Sequence, residues 1–198
     1  MKSELYFLGY DNGTSGGSAG SCDLKNWDVR MVTKVRRRTH WLLGVPENLA
    51  YLDSLLVKAG GPDKVVVAYE QTRKNKRFGT RNNYVGGRNE EFWRVLLSVR
   101  ELTFASVDPK SWQSVCFRNI APGHSKDRAR EYVRQRCPET DWLDSYNKAP
   151  REAIVDAMCI ALWCRDRYQE LTSNGINAGY HEFSGSAWWF PSAVAASA

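Results

Sequence analysis

The chain has 198 residues, a mass of 22.6 kDa and a formal net charge of +6, the size of one domain or of one domain with a tail. Its 42% hydrophobic and 25% charged residues sit near the globular average, which excludes wholesale disorder and fibrous classes. No run approaches the ~18 consecutive apolar residues of a membrane span, so no membrane partner is expected, while the basic balance favours a polyanionic one.

The N-terminus, MKSELYFLGY, shows no apolar h-region and no small-residue cleavage site, so no secretory signal is expected. Residues 4–10 are apolar and aromatic and read as a buried strand. Asp11-Asn12-Gly13 opens a Gly-rich turn through Gly20, and a hairpin is the simplest continuation. Asp28–Arg38 alternates as a strand with a basic far end. Pro46–Ala59 carries Leu49, Leu52, Leu55 and Leu56 near helical spacing, with Pro46 in the first turn and Gly60-Gly61-Pro62 as the stop.

Lys64–Tyr69 (KVVVAY) reads as a central strand buried on both faces and ending at Glu70. A polar, basic stretch, Gln71–Arg88, follows. A helix is predicted over 89–100 with Phe92, Val95, Leu96 and Val99 on one stripe, then a short strand over 102–107 closing on Asp108-Pro109. Further helices are predicted over 125–136, with Ser125 as N-cap, and over 149–168, with Pro150 at the start and a largely apolar body. The order describes an α/β domain with a mixed sheet, expected over residues 1–172. Residues 173–198 read as a Gly/Ser/Ala-rich tail containing Trp188-Trp189-Phe190.

Three carboxylates stand out by position: Asp11 at the end of the first strand, Glu70 at the end of the buried strand, and Asp156 inside an apolar helix. A bare buried charge costs several kcal/mol, so Asp156 needs a partner, an arginine or a metal. Adjacent strands bring their ends ~5 Å apart, and a helix crossing those ends adds a third acid. Such a cluster calls for a divalent cation, and all-oxygen ligands suit Mg²⁺ or Mn²⁺. Glu152, four residues before Asp156 and on the same helix side, is the candidate fourth ligand. Two metals ~3.5–4 Å apart would clamp the attacking and leaving oxygens of a phosphodiester.

Residues 71–100 add positive charge beside these acids. Eight basic side chains (Arg73, Lys74, Lys76, Arg77, Arg81, Arg88, Arg94 and Arg100) face only Glu90 and Glu91, with Phe78 and Tyr84 interleaved for stacking on bases. Lys34, Arg36, Arg37 and Arg38 form a second cluster suited to phosphates. The five cysteines (Cys22, Cys116, Cys137, Cys159, Cys164) form no CxxC and lie at no short spacing from His40, His124 or His181. Free thiols in a reducing cytoplasm are expected, not a zinc site.

The segments LGYDNGTSGGSAG, VVVAYEQTRKN, GGRNEEFWRVL, VDPKSWQ and REAIVDAMCIALW together resemble, in order and spacing, the RuvC-type Holliday junction resolvases over about residues 4–165, and most closely the shorter variants of phages and organelles. The resemblance implies a ribonuclease-H-like fold, a mixed central sheet flanked by helices. It implies a homodimer that cuts two strands of a four-way DNA junction symmetrically with carboxylate-bound Mg²⁺ or Mn²⁺. Asp11, Glu70 and Asp156 match the family's metal-binding acids. The family's fourth ligand lies three or four residues before the last Asp; here those positions are Ala153 and Glu152. Phe78, with Tyr84 in reserve, matches the aromatic that enters the junction centre, and Lys148 and Arg151 loosely match a basic residue that aids catalysis. The cytoplasm, an organellar matrix or a phage-encoded origin all accord with this reading. YFLGYDNGTSGG also resembles the first phosphate turn of sugar kinases and actin-like ATPases. Those enzymes need roughly twice this chain and a second such turn, which is absent, so no nucleotide cofactor is expected.

Overall fold

A computed structural model describes residues 5–12, 16–32, 34–37, 40–72 and 80–191, with the backbone alone at 34–37, 40–43 and 80–86. Its centre is a seven-stranded mixed sheet. β1 (Tyr6–Tyr10), β2 (Gly17–Ser21) and β3 (Asp28–Met31) form an antiparallel meander. On the other side of β1 lie β6 (Val65–Glu70) and then β7 (Thr103–Val107), both parallel to it. β9 (Ser186–Phe190) pairs antiparallel with β7, and β8 (Gly179–Phe183) closes that edge, giving the order β3-β2-β1-β6-β7-β9-β8. A separate two-stranded ribbon joins β4 (Lys34–Arg37) to β5 (His40–Leu43).

Strand periodicity sorts the core into two layers. Tyr6, Leu8 and Tyr10 of β1 and Val65, Val67 and Tyr69 of β6 face α1 (Val45–Ala59) and α2 (Thr80–Val99), where Leu52, Leu55, Trp93 and Leu97 are buried against them. Phe7, Val66, Ala68, Ala105 and Val107 face the opposite way, toward α3 (Pro109–Cys116), α4 (Ser125–Arg136) and α5 (Lys148–Ser173). Among the described residues no helix is long and apolar enough to cross a membrane.

Several elements differ from the sequence expectation. The strand over 28–38 breaks after Met31, because its partner β2 begins at Gly17, the residue opposite Met31. α2 starts at Thr80, not near 89. It runs through Gly86-Gly87 despite a cost of about 1 kcal/mol per glycine, offset by burial of Trp93, Leu96 and Leu97. Val95 and Val99, expected on its buried stripe, are exposed. α3 was not expected, although Asp108 accepts the Lys110 N–H as N-cap and Pro109 holds the first turn. α4 is capped by His124, one residue before Ser125.

The expected tail over 173–198 is also different: α5 reaches Ser173, and residues 179–190 are β8 and β9 of the central sheet. Gly185, at φ 77°, makes the tight turn between them, so the Gly/Ser content reflects a hairpin. Trp188 and Phe190 are buried against Trp163 and Tyr168, with the Trp163 and Trp188 ring centroids 5.8 Å apart, while Trp189 faces outward. Cys22 is exposed and the other four cysteines are buried, all as free thiols.

Candidate active site

Tyr10 and Tyr69 are register partners in the parallel β1–β6 pair, so the next residues, Asp11 and Glu70, leave the two strands side by side. The alternation that sends Phe7, Val66 and Ala68 toward α5 gives Asp11 and Glu70 the same face. Asp11 is buried, and its N–H donates to the Gly17 carbonyl at 2.9 Å, pinning the hairpin back on the strand end. Glu70 is half-buried, and the Trp112 indole N–H of α3 donates to its Oε2 at 2.8 Å.

Asp156 comes to this end because α5 lies unusually close to the sheet. A Cβ added at Gly9 would sit 2.1 Å from the Ala157 carbonyl oxygen, and one at Gly17 would sit 2.8 Å from the Ala153 backbone. On α5, Ala153, Ala157 and Ala161 are four apart and line one face. Glycines on the strands and alanines on the helix thus set the approach, and Asp156 rides between them.

Asp11 acts electrostatically on both Glu70 and Asp156, and Asp156 on Glu70. Burial, then the Asp11 carboxylate, pushes Glu70 up from 4.5 to about 8, with Asp156 adding to the rise and the Trp112 hydrogen bond opposing it. Burial lifts Asp156 from 3.8 to about 6, with Asp11 and Glu152 adding to the rise against the pull of Lys126. Lys126, in the first turn of α4, forms an ion pair with Asp156 Oδ2. Burial draws its ammonium down, but Asp156, Asp11 and Glu152 outweigh that and hold it above the ordinary lysine value. Glu152, one turn before Asp156, lies 3.7 Å from Arg130.

The donor set is all carboxylate oxygen, which fits a hard divalent cation; burial chiefly lifts Glu70 and Asp156, and the neighbouring carboxylates add a repulsion that such an ion would remove. Among the described residues no three His, Cys, Asp or Glu side chains already stand in an ion-holding arrangement. Lys126 is the cation on Asp156 instead, so a metal at Asp156 would have to displace its ammonium.

Of the other expected site residues, Arg73, Lys74, Lys76, Arg77 and Phe78 lie outside the described residues. Arg81 and Tyr84 fall in the first turns of α2, and Arg88 is exposed further along it. Lys148 and Arg151 line a cavity of about 480 Å³ with Lys126 and Arg130. Lys126, Trp112 and Arg130 were not singled out in the sequence; nothing local marks them, since their partners are 30, 42 and 22 positions away.

No family model and no curated protein matches the chain. Among solved structures it is similar to T. thermophilus RuvC in complex with a Holliday junction substrate, with 15% identity and a TM-score of 0.52 over 87% of this chain and 97% of that one. It is similar also to a Thermus thermophilus RuvC structure, with 16% identity and a TM-score of 0.50 over 87% and 98% of the two chains. The fold is therefore RuvC-like: a ribonuclease-H-like mixed sheet flanked by helices, as expected.

Proposed function

We propose that this chain is a structure-specific DNA endonuclease of the short RuvC type carried by phages and organelles. It resolves four-way junctions as a homodimer, hydrolysing one phosphodiester in each of two strands to leave 5′-phosphate and 3′-hydroxyl ends. The reading is carried by Asp11, Glu70 and Asp156, three acids far apart in sequence that the β1–β6 register and the close approach of α5 bring to one end of the sheet, where Asp11 acts on both of the others.

Asp11, Glu70 and Asp156 would hold Mg²⁺, with Mn²⁺ as a substitute, and Glu152 would be the fourth ligand. When bound, the metal would lower the pKa of the attacking water and neutralise charge on the leaving oxygen. Burial holds the Glu70 carboxyl up at about 8, so it would give up its proton in order to serve as a ligand, and the Trp112 N–H fixes one of its oxygens. Lys126 compensates the Asp156 charge through its ion pair, the role a divalent cation bound there would share. Arg73, Lys74, Lys76, Arg77, Arg81 and Arg88 supply phosphate contacts, and Phe78 is the aromatic that wedges the junction, with Tyr84 as the alternative.

The test is cleavage of labelled four-way, three-way, flap and linear duplex DNA with Mg²⁺, Mn²⁺ or chelator. Symmetric cutting of the four-way junction, dependent on the metal, is expected. Preference for another branched substrate would correct the specificity, and binding without cutting would make the chain a DNA-binding module. Phe78→Ala should impair junction cleavage more than duplex affinity; equal losses would make it a packing residue.

A further inference from the structure

The 480 Å³ cavity between the starts of α4 and α5 is walled by Lys126, Arg130, Lys148 and Arg151, against Asp127 and Glu152. Four cations against two carboxylates leave it short of negative charge. Lys126 is engaged by Asp156, and Arg151 Nη1 donates to Asp144 Oδ1 at 3.0 Å. Arg130 is held differently. Its nearest carboxylate oxygens are Glu152 Oε1 at 3.7 Å and Asp127 Oδ1 at 4.0 Å, both beyond hydrogen-bonding reach. Its Nε is buried and has no hydrogen-bond partner among the described residues.

The buried Nε has lost hydration without replacing it, while the Nη atoms of this 28% exposed side chain have no acceptor within hydrogen-bonding reach among the described residues and remain open to a ligand. Its planar fork matches two oxygens of a phosphate. Glu152, on the cavity wall, is one helical turn from Asp156, about 6 Å along α5, so the cavity adjoins the carboxylate cluster. Phosphates recur every ~3.4 Å of duplex axis along a strand. A strand with one phosphate at the carboxylates therefore has a neighbouring phosphate within reach of Arg130.

We infer that Arg130 binds an internal phosphodiester of the DNA strand, one or two nucleotides from the one to be cut, and so sets that strand's register over the carboxylates. The inference rests on the nuclease reading above. Glu152 and Asp127, too far to bond the guanidinium, hold it by charge without filling its donor positions.

The test is a methylphosphonate scan. Four-way junctions carry one neutral linkage at successive positions around the cut site. Binding is measured in chelator and cleavage in Mg²⁺, for the wild type, Arg130→Gln, Arg130→Lys and Arg118→Gln, an exposed charge-matched control on the turn after α3. With the wild type, one linkage beside the cut site should weaken binding in chelator about tenfold or more. Arg130→Gln should lose as much on unmodified DNA and nothing further at that linkage, whereas Arg118→Gln should keep the full effect. Arg130→Lys, which retains charge and guards against a folding artefact, should recover part of the affinity but not the cleavage register. If Arg130→Gln binds and cuts as the wild type does, or if its loss adds to that of every linkage, the inference is wrong. A wild type that cuts no branched DNA in Mg²⁺ or Mn²⁺ overturns the nuclease reading instead; the scan is then centred on the junction point, and the absence of any linkage whose binding effect Arg130→Gln removes overturns the phosphate contact as well.

Discussion

Around Gly9 and Gly17, the two faces of the central sheet are packed by opposite means. On the α1/α2 face, volume fills the space: Leu52, Trp93 and Leu97 are fully buried, and the Tyr10 and Trp93 rings stack at 4.1 Å. On the α5 face, over the same strands, Gly9 and Gly17 meet Ala153, Ala157 and Ala161, and backbone nearly touches backbone. The first arrangement stabilises through apolar area. The second sacrifices side-chain area for position, because only a helix this close can carry Asp156 to the ends of β1 and β6. The thinness is local to Gly9 and Gly17: elsewhere the α5 face is filled by side chains such as Phe7, Trp112, Met158 and Trp188, and the acids sit where it is thin.

The largest effect expected from this contrast is at the charge itself. Asp156→Asn should lower junction cleavage at least about a thousandfold, the several kcal/mol that a metal-supported transition state loses with a ligand. The folded structure should persist: the variant relieves repulsion on Glu70, and Lys126, though it loses its ion pair, keeps Asp11 and Glu152 as neighbouring charges. Cleavage at the wild-type rate would remove Asp156 from the site. Next comes a pair of packing changes. Gly9→Ala drives a Cβ into the Ala157 backbone and should cost about 3 kcal/mol or more, with cleavage lost because α5 must lift. Leu97→Ala, on the α1/α2 face, should cost about 2–5 kcal/mol yet still cut at a temperature where it is folded. Denaturant melts and cleavage rates measured together test this; parallel loss of both properties in both variants would erase the distinction between the faces.

Stability against pH sharpens the same contrast. Glu70 rises from 4.5 to about 8 and Asp156 from 3.8 to about 6 on folding. Groups with raised folded values bind protons more tightly when folded, so their contribution is present below the ordinary values and is lost as pH climbs through about 6 and then about 8. The metal-free protein should therefore melt lower at pH 8.5 than at pH 6. Added Mg²⁺ should raise the melting temperature more at the higher pH, because the carboxylates are then free to bind it. Glu70→Gln should flatten the metal-free profile. A wild-type profile that is flat or rises with pH would mean that burial and neighbouring charge do not raise these carboxylates as placed.

The strand-end acids and the apolar helix were legible because period 2 and period 3.6 leave their mark on neighbouring residues: YFLGYD and VVVAYE each show a buried run closing on a carboxylate. The compensating cation was not. Lys126 looks like any first-turn lysine until α4 docks beside α5, and Trp112 looks like any core aromatic until α3 turns its N–H to Glu70. The β8–β9 hairpin was hidden for a different reason. Its Gly/Ser turn residues dominate the local composition, while the alternate burial of Trp188 and Phe190 needs β7 as a neighbour before it means anything. Contacts between distant segments leave no local periodicity, and these residues depend on such contacts.

The smallest predicted effect contrasts two glycines. Gly9 is required because its missing Cβ is the space that α5 occupies. Gly87, inside α2, has nothing within 4 Å of the position its Cβ would take, and its φ is not in the left-handed region. The same substitution should thus reverse sign. Gly87→Ala gives up unfolded-state freedom and fits an open helical surface, so it should stabilise the protein by about 0.5–1 kcal/mol. A melting temperature that rises while cleavage is unchanged would place Gly87 with the α1/α2 face, where helix geometry is permissive. A fall in cleavage without loss of stability would instead assign the bare backbone at Gly87 to DNA contact, alongside its exposed neighbour Arg88.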